Sequence, residues 1–124
     1  LRRRVIIREN ALLDIRAGRF NVARAALDKV LAVTPNDPKA HYYYGEIFRL
    51  SKKTPEGERQ ALAQYRKAIE LDPELAEAHR AIGLLYYKKG DKEKAKKAFR
   101  RYLELKPKAK DRDQIKDYIV ELGG

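Results

Sequence analysis

Apolar residues return every three or four positions along this chain, the spacing that lines up one face of an α-helix. The stretches that carry them end at Thr34-Pro35, Asp72-Pro73 and Lys106-Pro107. Proline cannot continue a helix, because it has no N–H to donate and its ring blocks the preceding turn. The three prolines stand 38 and 34 residues apart. A period of about 34 residues predicts a row of stacked helix pairs, in which each pair buries its apolar faces against its neighbours and the row offers a concave surface.

The register within the repeats supports that period. Ala40-His41-Tyr42-Tyr43-Tyr44-Gly45 aligns with Ala78-His79-Arg80-Ala81-Ile82-Gly83, and Ala11 takes the place of the glycine in the first unit. Glycine inside a helix costs about 0.5–1 kcal/mol relative to alanine, so Gly45 and Gly83 imply a close approach of another element. In each second helix a small residue, Ala23, Ala61 or Ala95, is followed four positions later by a bulky one, Leu27, Tyr65 or Phe99. Such alternation lets neighbouring helices interlock. Gly18-Arg19-Phe20-Asn21 and Gly90-Asp91-Lys92-Glu93 read as the turns within pairs, with Asn21 and Asp91 as expected helix caps. The longer stretch Ser51 to Gly57 reads as an exposed loop.

On these residues the chain resembles the tetratricopeptide repeat (TPR) family. The resemblance implies an all-α fold, a right-handed superhelical array of antiparallel helix pairs with about seven helices. The units fall at residues 4–37, 38–75 with a four-residue insertion in its turn, and 76–109, within a single domain. A capping helix over 111–122 would turn Ile115, Tyr118, Ile119 and Leu122 inward. The first unit departs from the pattern: Asn10 and Asp14 stand where the family carries large apolar and aromatic residues, so its outer face is expected to be frayed or covered by a neighbour.

Composition narrows the chemistry. The 124 residues include no cysteine, methionine or tryptophan, which removes disulfides and thiolate chemistry and fits a thermophilic source, a consensus-like sequence or a design. Ser51 is the one serine, and His41 and His79, the two histidines, occupy one register position in neighbouring repeats, where a packed imidazole is expected. With no acid–base pair marked by spacing, no glycine-rich phosphate loop and no metal-ligand cluster, the reading is of a protein that is not an enzyme and needs no metal or cofactor. No apolar run is long enough to span a membrane and no signal peptide is visible. The chain begins at Leu1-Arg2-Arg3-Arg4 without a methionine, which leaves open a missing N-terminal segment or larger parent, with this run either a juxtamembrane remnant or a domain boundary, and a cytoplasmic or bacterial envelope-facing location.

The resemblance places the first helix of each pair on the inner face. Its expected groove residues are Arg8, Leu12, Tyr42, Tyr43, Glu46, Arg49, Arg80, Leu84 and Tyr87, joined by Val5, Glu9, Arg16, Lys39 and Lys88. Tyrosine and arginine combine contact area with hydrogen bonding and are frequent interface anchors. Since Tyr42, Tyr43 and Tyr44 must point in three directions, one of them, Tyr44, is expected to be buried within its pair. Some family members clamp a chaperone's acidic C-terminus; the corresponding places here hold Arg8, Leu12, Tyr43, Glu77 and Ala81, so that activity is not expected while another extended peptide would still fit. A second surface is basic: residues 88–110 carry eleven lysines and arginines, and the net charge is +11. Lys96, Lys97, Arg100 and Arg101 are expected to face solvent there, a surface for an acidic protein, an anionic lipid or nucleic acid, the last disfavoured because no aromatic residues are interleaved to stack bases. The expected partner is a protein or peptide, with an acidic one and self-association through the ends of the array as further options.

Overall fold

The computed structural model describes residues 2–124; Leu1, the first residue of the basic N-terminal run, lies outside them. Among the described residues there are seven helices and no strand. They are α1 (Arg2–Arg16), α2 (Phe20–Val33), α3 (Pro38–Ser51), α4 (Pro55–Leu71), α5 (Ala76–Lys89), α6 (Lys92–Leu105) and α7 (Arg112–Glu121). The chain divides into two compact units, Leu1–Pro73 holding α1 to α4 and Glu74–Gly124 holding α5 to α7.

Local chemistry starts and stops these helices. Pro38 and Pro55 open α3 and α4, where a missing N–H is harmless, and the side chains of Asp37 and Thr54 accept from the N–H groups of Ala40 and Gly57. Asp91 caps α6 by accepting from Lys94. Asn21 does not cap α2: that helix begins at Phe20, one residue earlier, and no side chain caps it. Gly18 and Gly90 adopt left-handed φ angles of 80° and 82°, the conformation that turns the chain between the helices of a pair.

The exposed loop expected over Ser51 to Gly57 is largely absent. α3 runs to Ser51 and α4 begins at Pro55, leaving three residues between them. The extra residues lengthen α4 to 17 residues against 14 in both α2 and α6. The Thr54 cap holds this added turn, and Gly57 lets it sit against the chain: a Cβ there would lie 1.8 Å from the Lys52 carbonyl oxygen.

Within each pair the interlocking is literal. A Cβ on Gly45 would fall 2.6 Å from the Tyr65 ring, and one on Gly83 would fall 2.5 Å from the Phe99 ring. Ala23, Leu27, Ala61, Tyr65, Ala95 and Phe99 are fully buried, which confirms the small and large positions as core. In the first pair Ala11 and Leu27 are both buried in one core cluster, with the smaller Leu27 at the position that Tyr65 and Phe99 take in the other pairs. α7 closes the second unit with Ile115 and Leu122 buried and Tyr118 stacked on Phe99 at 5.7 Å.

Two arginines each tie a first helix to the start of a later helix in the same unit. Arg8 on α1 holds Asp37, the cap of α3, at 3.0 Å, and Arg80 on α5 holds Asp111, at the start of α7, at 2.6 Å. Each clasp recruits a tyrosine. Tyr43 donates to Glu9, which itself pairs with Arg8, and Tyr102 donates to Asp111. Burial acts to raise the Glu9 carboxyl, but the bonds from Arg8 and Tyr43 outweigh it and leave the group below the usual carboxylate range. Asp111 behaves likewise under Arg80 and Tyr102. Burial and then the Asp111 bond push the Tyr102 phenol up to about 12.

Two outcomes follow from this packing. Gly45→Ala should destabilise the fold by about 1–3 kcal/mol, since the fully buried Tyr65 ring cannot withdraw and overpacking outweighs the gain in helix propensity. Urea denaturation checks this; adding Tyr65→Leu should recover part of the loss, whereas a higher midpoint for Gly45→Ala alone would show that the close approach is not required. Because Glu9 and Asp111 are depressed in the folded chain, their contribution is present above their ordinary values of 4.5 and 3.8 and is lost as pH falls through the lower folded values. The thermal midpoint should therefore drop below about pH 4.5, and Glu9→Gln with Asp111→Asn should flatten that acid limb while lowering stability at neutral pH.

Candidate functional site

The expected groove residues stand on first helices, and their surroundings differ from one another. In the first unit, α1 contributes Arg8 and Leu12, and α3 contributes Tyr42, Tyr43, Glu46 and Arg49. The three consecutive tyrosines separate as helical geometry demands, but the buried one is Tyr43, at 5% exposure, not Tyr44. Tyr43 packs in the α1–α2–α3 core and sends its hydroxyl to Glu9. Tyr44 reaches the outer side of α2, where it donates to Asp28 at 2.6 Å and lies under the Arg24 guanidinium. Burial and Asp28 push its phenol up to about 12.

Tyr42 is half-buried, and its ring packs against Tyr43 and Tyr65 with centroids 5.6 and 5.7 Å away. One turn further along α3, Glu46 takes hydrogen bonds from both the Tyr65 hydroxyl and Arg49. Tyr65 belongs to α4, so this network reaches through the pair from its core to its first-helix face. Burial first, then the Glu46 carboxylate, raises the Tyr65 phenol far above its ordinary value and keeps it a donor. Arg49 is held charged because the Glu46 contacts outweigh burial, and its side chain remains 40% exposed. The first-unit face therefore offers a ring fixed on two sides, the half-buried Leu12, and a guanidinium oriented by a fixed carboxylate.

In the second unit, α5 contributes Arg80, Leu84 and Tyr87, all half-buried. Arg80 is engaged with Asp111, while the Tyr87 ring lies 4.6 Å from Tyr118 and its hydroxyl donates to Glu121, both on α7. The capping helix and the residue before it thus supply three side chains beside the expected site, Asp111, Tyr118 and Glu121, that the spacing of the first helices alone did not reveal. One signal was available: Asp37 and Asp111 both stand immediately before a helix, 29 and 31 residues after Arg8 and Arg80.

The basic outer face is less open than expected. Lys96 is 9% exposed rather than solvent-facing; its aliphatic stem lies against the α6 core side while its ammonium reaches Glu93 at 3.0 Å. Arg101 pairs with Glu104, and Arg100 donates to the Gly124 carbonyl. Lys97 remains exposed on this face. A cleft of about 510 Å³ beside Lys106, Lys108 and Lys110 continues the positive surface toward α7.

Ser51 donates to the Ile47 carbonyl, and His41 bonds the Pro35 carbonyl at 2.8 Å and the Gln64 side chain at 3.0 Å, a packing role. Among the described residues no group of three or more His, Cys, Asp or Glu side chains could hold a metal ion, and no helix is long and apolar enough to cross a membrane.

Sequence models of one family match most of the chain: models described as tetratricopeptide repeat match residues 8–58 and 76–109, and one described as TPR repeat matches residues 59–90. Among curated proteins, tetratricopeptide repeat-containing protein trd-1 of Caenorhabditis elegans is 35% identical over 91 residues, covering 73% of this chain and 10% of that protein. Tetratricopeptide repeat protein 37 of Xenopus laevis is 30% identical over 88 residues, 69% of this chain and 6% of that protein. The chain thus spans a tenth or less of these relatives. Of solved structures, the Sgt2 TPR domain from Aspergillus fumigatus superposes with a TM-score of 0.78 at 15% identity, over 99% of this chain and 78% of that one. The first TPR domain of Spaghetti (RPAP3), bound to an HSP90 peptide, does so with 0.76 at 20% identity, over 98% and 94%. PilF of Pseudomonas aeruginosa reaches 0.79 at 20% identity, over 97% of this chain and 52% of that one. With family matches running from residue 8 to residue 109 and TPR domains sharing its fold over nearly its whole length, the chain belongs to the tetratricopeptide repeat family.

Proposed function

We propose that this chain is a non-enzymatic protein-interaction module that holds a peptide segment of a partner protein, acting as an adaptor or assembly scaffold. The observation that carries this reading is the Tyr42 ring. It is half-exposed on α3, fixed between Tyr43 and Tyr65, and stands one and two turns from the Glu46–Arg49 pair. A rigid aromatic beside an oriented guanidinium binds at little cost in side-chain entropy and joins apolar contact to directional hydrogen bonding. The peptide-bound RPAP3 domain, which shares this fold, lends support by analogy.

The same geometry refines the partner. Arg8 and Arg80 are each occupied by a carboxylate of the chain itself, and Arg49 by Glu46. Their charge is already balanced, so an acidic peptide gains less from them than the arginine count suggests. The segment best suited to the first-unit face places an apolar side chain against Leu12 and Tyr42 and a backbone carbonyl or amide toward Arg49. Arg80, Leu84 and Tyr87 with α7 form the corresponding candidate surface of the second unit. Docking of a polyanion on the outer face draws less support, because Lys96 and Arg101 already pair with Glu93 and Glu104.

Selection from a displayed random-peptide library, followed by titration of the recovered sequence at about 300 mM salt, where exposed charge pairs are well screened, tests the proposal. Tyr42→Ala should weaken binding at least tenfold, equivalent to about 1.4 kcal/mol, with the thermal midpoint little changed. Lys97→Glu should leave affinity unaltered. Peptides that bind only at low salt, or equally well to Tyr42→Ala, would reject the Tyr42 face and favour the basic one.

A further inference from the structure

The first helix pair bears an apolar surface that the peptide-binding reading does not use. Along α1, Ile6 and Leu13 are 52% and 58% exposed, two turns apart on one stripe with Asn10 between them. Beside this stripe a cleft of about 570 Å³ opens between α1 and α2, lined by Ile7, Asn21, Val22, Ala25, Ala26 and Lys29. Val22 is also exposed, so the apolar surface continues from one helix to the other.

The first unit itself shows what such a stripe is suited to meet. The repeat register that aligns Ala11 with Gly45 also aligns Ile6 with Ala40, Asn10 with Tyr44 and Leu13 with Ile47. On α3, Ala40 and Ile47 are fully buried in the core cluster shared with α1 and α2, and Tyr44 bonds Asp28 of α2. The stripe on α1 is therefore built like one that a neighbouring helix covers, and small residues along the α2 side of the cleft allow close approach. Charge selects among possible helices. Glu9 and Asp14 are already bound to Arg8 and Arg19, while Arg2, Arg3, Arg16 and Lys29 are exposed around the apolar surface and form no ion pair among the described residues. A second copy of this face would bring arginine against arginine. An acidic helix would not.

We infer that the α1–α2 face is a second interaction surface, separate from the Tyr42 face, that takes an amphipathic helix of a partner protein with an apolar stripe flanked by aspartate or glutamate. Such a helix lays leucine-type side chains at i, i+3 or i+4 and i+7 along Ile6, Leu13 and Val22, and its carboxylates meet Arg2, Arg3 and Arg16. The interaction weakens with salt in its ionic part and depends on the apolar stripe at any salt.

The test uses the full chain and three synthetic stapled helices of about 18 residues: a leucine stripe flanked by glutamates, the same stripe flanked by lysines, and a scrambled glutamate version. Fluorescence anisotropy gives affinities, and amide chemical shifts of the labelled chain locate binding. The glutamate-flanked helix should bind at least tenfold tighter than either control and shift signals of α1 and α2. Ile6→Glu/Leu13→Glu, both exposed positions that the fold tolerates, should abolish that preference, and Arg2→Glu/Arg3→Glu/Arg16→Glu should reverse it toward the lysine-flanked helix. Equal binding of the scrambled helix, shifts confined to α3 or α5, or no binding of the glutamate helix would overturn the inference. So would a concentration-dependent dimer in sedimentation that Ile6→Glu/Leu13→Glu disperses, because a second copy would then be the occupant. Loss of Tyr42-dependent peptide binding would leave this surface unaffected, so the two readings fail separately.

Discussion

The packing of an aromatic ring directly onto a helix backbone is the constraint on which the rest of this structure depends. Tyr65 lies against Gly45 and Phe99 against Gly83, each ring occupying the space where a Cβ would stand. This sets how closely the helices of a pair approach, and with it where the remaining side chains of the first helix can point. At Gly45 the consequence reaches the surface: the Tyr65 ring that fills the gap also supports Tyr42 from beneath and sends its hydroxyl to Glu46. One buried residue on α4 thereby orders the aromatic, the carboxylate and the guanidinium of the candidate site on α3.

Electrostatics then ties α1 to α3 within the first unit and α5 to the start of α7 within the second. Arg8 with Asp37 and Arg80 with Asp111 use the same device, a guanidinium on one helix gripping a carboxylate at the start of a later one; Tyr102 donates to Asp111 itself, whereas Tyr43 donates to Glu9, the second carboxylate on Arg8. Aspartate at such a position does two jobs when, as at Asp37, it also accepts from the helix N-terminus. Arginines that a composition-based reading assigns to ligand capture are thus committed to clasps within their own units. What they leave for a partner is orientation, aromatic area and hydrogen bonding rather than unbalanced positive charge.

Excess charge lies elsewhere, on residues with few carboxylates near them. On α6, short-range pairs with Glu93 and Glu104 absorb part of it, and the Lys96 stem turns inward because an amphipathic side chain can cover apolar surface while its ammonium stays wet. On α1 the arginines surround exposed isoleucine and leucine instead. The two basic regions therefore differ in kind: one is a solvated helix face, and the other a rim around apolar surface.

Periodicity, proline spacing and the alternation of small and large side chains by themselves determined the all-α fold, the order of the helices and the buried positions Ala23, Ala61, Ala95, Leu27, Tyr65 and Phe99. These are local or strictly repeated signals, and a helix can be read from them because its geometry maps sequence spacing onto faces. The tertiary structure alone decided that Tyr43 rather than Tyr44 is buried, since three adjacent tyrosines look alike until α1 and α2 occupy two sides of α3. It also decided that the added residues of the second pair lengthen α4, because the Thr54 cap and the contact of Gly57 with the Lys52 backbone act across a turn whose composition reads as loop. Asp111, Tyr118 and Glu121 joined the second-unit surface for the same reason. Their role depends on which residues of α5 lie opposite them, about 30 positions away in the chain, and spacing within one helix carries no record of such a partner.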